Sequence, residues 1–132
     1  CSFLPRRKFS YQLKSNRDIR GNFVEVTKNS VGQHSYFTAF PGVTRGGHYH
    51  HTKVEKFLIL KGHAEFKFEN IFSKERFKLR VKSNDNTVVL SIPGWAHSIT
   101  NVGKDEMIVF LWSNEVYNPK KPDTYFTESK YL

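Results

Sequence analysis

The chain has 132 residues, enough for one domain with a core of its own, and no apolar run approaches the length needed to cross a bilayer as a helix. Lysine plus arginine number 21 against 12 aspartate plus glutamate, a formal net charge of +9 spread along the whole length. Without zinc-finger spacing, a recognition-helix pattern or an aromatic RNA-binding signature, that charge argues against a nucleic-acid reader and suits a basic surface or a phosphorylated small molecule.

The chain opens on Cys1 rather than Met and carries no apolar leader, so it reads as part of a longer protein in a cytoplasmic setting. Cys1 is the only cysteine, which excludes an internal disulfide. Residues 1–20 are polar and irregular. Alternation of apolar and polar side chains then predicts strands over 23–26, 33–40, 55–60, 64–69, 77–81, 87–92, 97–102 and 107–112. Turn chemistry separates them at Pro41-Gly42, Gly46-Gly47, Lys61-Gly62, Ser83-Asn84-Asp85-Asn86, Pro93-Gly94 and Gly103-Lys104-Asp105. Residues 114–132 again read as irregular. Short strands at this spacing, with no helical period, predict an all-β sandwich or barrel forming one domain over 1–132.

Chemistry concentrates in two places. His48 and His50 are two residues apart, so on a strand both imidazoles leave one face, and a turn can return Glu55 beside them. Farther on, Pro93-Gly94-Trp95-Ala96-His97 supplies a tight turn and a third histidine. Three imidazoles and a carboxylate form a mixed nitrogen and oxygen site that suits zinc, iron, manganese, nickel or copper. A lone His-x-His is a weak signal, since exposed strand histidines take that spacing freely.

The full pattern resembles the cupin superfamily. Its first motif runs Gly, five residues, His-x-His, three or four residues, Glu, six residues, Gly, and Gly42, His48, His50, Glu55 and Gly62 fill it. Its second motif ends in Gly, two residues, His, three residues, Asn, matched by Gly94, His97 and Asn101. Asn86 departs where the motif opens with Gly, and Ile92 where it has its first Pro. The resemblance implies a double-stranded β-helix (jelly roll) and one divalent metal, zinc the expected ion, on His48, His50, Glu55 and His97. Flanking runs extend it: Lys8-Phe9-Ser10-Tyr11, Arg17 to Phe23, His50-His51-Thr52-Lys53, Trp112 to Glu115, Asn118-Pro119 and Pro122 to Phe126. Together they resemble the C-terminal cupin domain of capsular polysaccharide enzymes of the CapF type, in which a short-chain reductase domain precedes the cupin.

That resemblance implies C3 epimerisation of a UDP-linked 2-acetamido-2,6-dideoxy-4-keto-hexose, with basic side chains helping to hold the diphosphate. Inversion calls for a base on one face of the ring and an acid on the other. Lys53, in the turn between His50 and Glu55, is one candidate, with a solvated turn lysine as its alternative. Tyr117 is the second, with packing as its alternative. Lys56 and His51 point away by alternation, Trp95 reads as a wall of the pocket, and Cys1 and His63 show no partner spacing. Two rivals stay open: a metal-free 3,4-ketoisomerase of sugar nucleotides using His48 and His50 as acid and base, and a non-catalytic sugar-binding cupin. A symmetric homodimer is expected by analogy with cupins of this size.

Overall fold

In a computed structural model, residues 10–29, 31–116, 118–120 and 123–132 are described. Eleven strands appear among them: β1 (Ser15–Asp18), β2 (Gly21–Asn29), β3 (Gly32–Ala39), β4 (Thr44–Tyr49), β5 (Glu55–Lys61), β6 (His63–Asn70), β7 (Arg76–Lys82), β8 (Val88–Ser91), β9 (Trp95–Asn101), β10 (Met107–Ser113) and β11 (Tyr125–Phe126). A single 3-10 turn, Ser83–Asp85, interrupts them. Six strands form one antiparallel sheet in the order β1-β2-β3-β10-β5-β8, and five form the other in the order β11-β4-β9-β6-β7. The fold is the all-β sandwich expected from the alternation, in the jelly-roll form that the cupin resemblance implies.

Each anticipated strand is present, because its alternate apolar side chains face the partner sheet. Phe37, Phe57, Ile59, Phe66, Ile99, Met107, Val109 and Leu111 form the heart of one buried cluster. Phe66, Met107 and Val109 are fully shielded from solvent. Removing this much apolar surface from water is the main force holding the two sheets face to face.

Two segments read as irregular are strands. Ser15–Asp18 pairs with Gly21 to Val24, but all four of its residues are exposed, so it carries no apolar rhythm. Tyr125–Phe126 adds a two-residue edge strand on Tyr49 and His48.

The motif departure at Asn86 has a structural explanation. Asn86 adopts φ 51°, the left-handed conformation that glycine takes freely and asparagine tolerates better than most residues. The motif's Asn101 is a loop clamp: its Nδ2 donates to the carbonyls of Ala39 (2.9 Å) and Asp105 (2.8 Å), and its Oδ1 accepts from the Gly103 N–H.

Candidate metal centre

The candidate ligands come from both sheets and meet between them. In the five-stranded sheet β4 pairs with β9, which sets His48 directly across from His97. His50 follows at the end of β4. In the six-stranded sheet Glu55 opens β5 and lies across from Ser91 on β8 and Ser113 on β10. One glycine is decisive for the close β4–β9 approach. A Cβ on Gly46 would meet the His97 carbonyl oxygen at 2.9 Å, and its φ of 102° disfavours any other residue. A side chain here would drive β4 from β9 and part His48 from His97.

His50, Glu55 and His97 are each buried, and His48 is partly so. The ligand atoms of His48, His50 and Glu55 all lie within 4.8 Å of one another, a grouping that could hold a metal ion. His97 brings Nε2 to 3.6 Å from Glu55 Oε1. The His48 ring centroid is 4.8 Å from that of His97 and 5.1 Å from that of His50. The floor beneath is the apolar core, with the Phe57 ring 5.5 Å from His97.

Hydrogen bonds on the far side of His97 and His50 fix the orientation of those two rings. Nδ1 of His97 meets Ser91 Oγ at 2.9 Å. Nδ1 of His50 meets the backbone carbonyl of Asp123, to which it can only donate. A neutral His50 therefore turns an Nε2 lone pair toward Glu55 Oε1, 2.8 Å away. Two acceptors at that distance need a cation between or beside them, either a proton or a metal ion. The donor set and its outer hydrogen bonds fit a divalent metal.

The electrostatics favour ligand-competent states. Burial lowers His48 to a pKa of about 4, with nearby Glu55 opposing the shift. Burial likewise lowers His97 to about 3. Burial alone would raise Glu55, but the His50 hydrogen bond and the neighbouring imidazoles outweigh it and hold Glu55 below its usual range. Neutral imidazoles beside an ionised carboxylate are the forms that bind a metal.

The cluster lies in a cavity of about 590 Å³. Lys53 also lines it and is only 8% exposed, so the alternative of a solvated turn lysine is corrected. The Asp123 carboxylate explains the burial. It accepts from the backbone N–H groups of His51 (3.0 Å), Thr52 (2.8 Å) and Lys53 (2.9 Å), folding the turn inward. Burial would raise the Asp123 carboxyl, but these N–H groups and the Thr52 hydroxyl hold it far below the usual carboxylate range.

Tyr117, Cys1, Lys8 and Phe9 lie outside the described residues. Lys56 and His51 are exposed as alternation predicts, Lys56 over the Trp112 ring. Trp95 packs against the core and is not part of the cavity wall. Sequence reasoning passed over Ser91, Asp123 as a site residue, and Arg45, which shares the cavity. The signal for Arg45 was its place on the ligand strand, three residues before His48.

Comparison with known proteins agrees with this architecture. The chain is 53% identical over 125 residues to a UDP-2-acetamido-2,6-β-L-arabino-hexul-4-ose reductase from Pseudomonas aeruginosa, covering 94% of this chain and 34% of the relative. It is thus about a third of that relative's length. The spore coat polysaccharide biosynthesis protein SpsL of Bacillus subtilis is 27% identical over 123 residues, covering 85% of this chain and 82% of the relative. A crystal structure of the capsular polysaccharide assembling protein CapF from Staphylococcus aureus superposes with TM-score 0.89 at 39% identity, over 96% of this chain and 37% of CapF. The family described as polysaccharide biosynthesis C-terminal domain matches residues 16–125. The chain belongs to that family, as a cupin domain of the CapF type.

Proposed function

We propose that this domain is a metal-dependent epimerase that inverts C3 of a UDP-linked 2-acetamido-2,6-dideoxy-4-keto-hexose during cytoplasmic synthesis of a surface polysaccharide precursor. The observation carrying this reading is the convergence of His48, His50, Glu55 and His97 on a cavity floor with Lys53 buried beside them. Support for the substrate class comes from the Pseudomonas relative, whose name specifies a UDP-linked 4-keto sugar. The greater part of that relative's length is where we place an accompanying reductase domain, and we expect two copies to pair as a symmetric dimer.

A proton on the carbon beside a ketone is acidified because its removal delocalises charge onto the ketone oxygen. The bound zinc would supply Lewis-acid stabilisation of that charge. Ser91 and the Asp123 carbonyl orient His97 and His50, while Phe57 and the core below keep water from their inner faces. Lys53 moves a proton at Nζ, on or off C3 from one side of the ring. Tyr117 is the proposed partner for the opposite side. The exchange is balanced: one C3–H bond breaks, and one forms on the other face.

The direct His50–Glu55 contact is the one observation that favours the metal-free ketoisomerase reading, because there Glu55 would orient His50. Stripping the protein with a chelator and restoring zinc separates the two. Loss and recovery of solvent exchange at C3 supports the epimerase, whereas exchange indifferent to metal supports the rival.

A further inference from the structure

Arg45 sits on β4 with His48 and His50 and, like them, lines the cavity. It pairs in register with Ile99, two residues along β9 from His97, so β4 presents Arg45 on the ligand-bearing face. Its guanidinium lies 5.0 Å from the Phe37 ring centroid, and one N–H donates to the Thr38 carbonyl at 3.2 Å. A guanidinium has five N–H donors in a rigid fork. Among the described residues, no carboxylate is within ion-pair distance of it.

The other cavity charges are accounted for differently. Arg20 is held by Asp18, with Nη2 2.6 Å from Oδ2. Glu25 lies 2.8 Å from Lys28 Nζ. Lys53 and Glu55 belong to the candidate catalytic floor. Arg45 is left as a half-buried cation whose pKa is lowered by burial first and then by the like charge of Arg20, with the Asp18 carboxylate opposing the shift. An anion seated there would relieve both effects.

We propose that Arg45 forms an anion subsite that takes a phosphoryl group of a nucleoside diphosphate ligand. The claim deepens, and rests on, the reading of this cavity as a sugar-nucleotide site. Spacing supports it. Three residues of extended chain with a bulge separate Arg45 from His48, roughly 7–10 Å at the usual strand rise. A pyranose ring spans a comparable length from its C4 oxygen to the phosphate on its anomeric carbon. The sugar therefore bridges the two sites with its ketone at the floor and its phosphate at Arg45. The planar fork suits phosphate oxygens better than a lysine ammonium would.

The test is isothermal titration of the zinc-loaded 132-residue protein with UDP, inorganic pyrophosphate and uridine. UDP and pyrophosphate should bind, and uridine should bind at least about tenfold more weakly than UDP. R45M keeps the stem over Phe37 and should weaken UDP about tenfold or more while leaving zinc content and uridine binding unchanged. Pyrophosphate binding without a gain for UDP identifies a general phosphate site, which still places the anion at Arg45 if R45M abolishes it. Equal UDP affinity in wild type and R45M overturns the proposal, as does uridine binding as tightly as UDP. The uridine comparison needs no variant, so uridine binding as tightly as UDP overturns the proposal even if R45M does not fold. Failure of C3 exchange with intact, Arg45-dependent UDP binding would instead count against the epimerase alone.

Discussion

Asp123 grips both ends of the ligand turn: its backbone carbonyl accepts from His50 Nδ1, and its carboxylate accepts from the N–H groups of His51, Thr52 and Lys53. A residue some seventy positions away thus sets the tautomer of one candidate ligand and the depth of the neighbouring lysine. Replacement by Ala keeps the carbonyl in the chain but removes the shared acceptor of three N–H groups, of which that of Lys53 is partly buried. Asp123→Ala should weaken zinc binding about 10–100-fold in competition with a chromogenic chelator. It should also cost about 2–3 kcal/mol of stability. An unchanged zinc affinity would show that the clamp does not govern the site.

The ligand assignment makes separate demands on His48 and His97. Each truncation to Ala leaves three donors, so zinc retained after gel filtration should drop to a small fraction of one equivalent in both variants. Plasma emission spectroscopy reads this directly. Full occupancy in His97→Ala would reduce the site to the tight His48, His50 and Glu55 group.

Acidification gives a signed prediction for the metal-free protein. His48 and His97 are lowered in the folded state to about 4 and about 3, while an unfolded histidine titrates near 6.5. Between those values the unfolded chain binds more protons, so stability is present above pH 6.5 and is lost as pH falls toward 4. Glu55 and Asp123 are lowered too, but their stabilisation is lost only below the ordinary carboxylate range. Urea unfolding after chelation should therefore show a loss of about 1–2 kcal/mol per imidazole between pH 7 and pH 5. Equal midpoints at the two pH values would mean that the imidazoles are not buried in neutral form.

Much of this was legible in the residues, and the gaps have physical causes. The core strands announced themselves because alternate side chains bury between two sheets, as with Phe57, Ile59 and the exposed Lys56 between Glu55 and Phe57. Ser15–Asp18 gave no such rhythm because both of its faces meet solvent. The candidate ligand set could be picked out because metal chemistry restricts residue type and spacing, and the fold brings those four side chains together. Lys53 could not be placed, since its burial depends on a carboxylate far away in sequence. Trp95 was misassigned because a turn residue's direction is set by the packing of the strand it opens, and here that packing is against the core.

The central claim is that this cavity exchanges the proton on C3 of a 4-keto sugar nucleotide. Incubating the zinc-loaded protein with UDP-2-acetamido-2,6-dideoxy-4-keto-hexose in deuterium oxide, and following the C3 signal by NMR, measures that event whether or not the epimer accumulates. Loss of the C3 proton should run far ahead of the sugar-alone blank, and Glu55→Gln should slow it about 10²–10³-fold. Exchange no faster than the blank would contradict the epimerase account and leave a sugar-binding cupin as the better description.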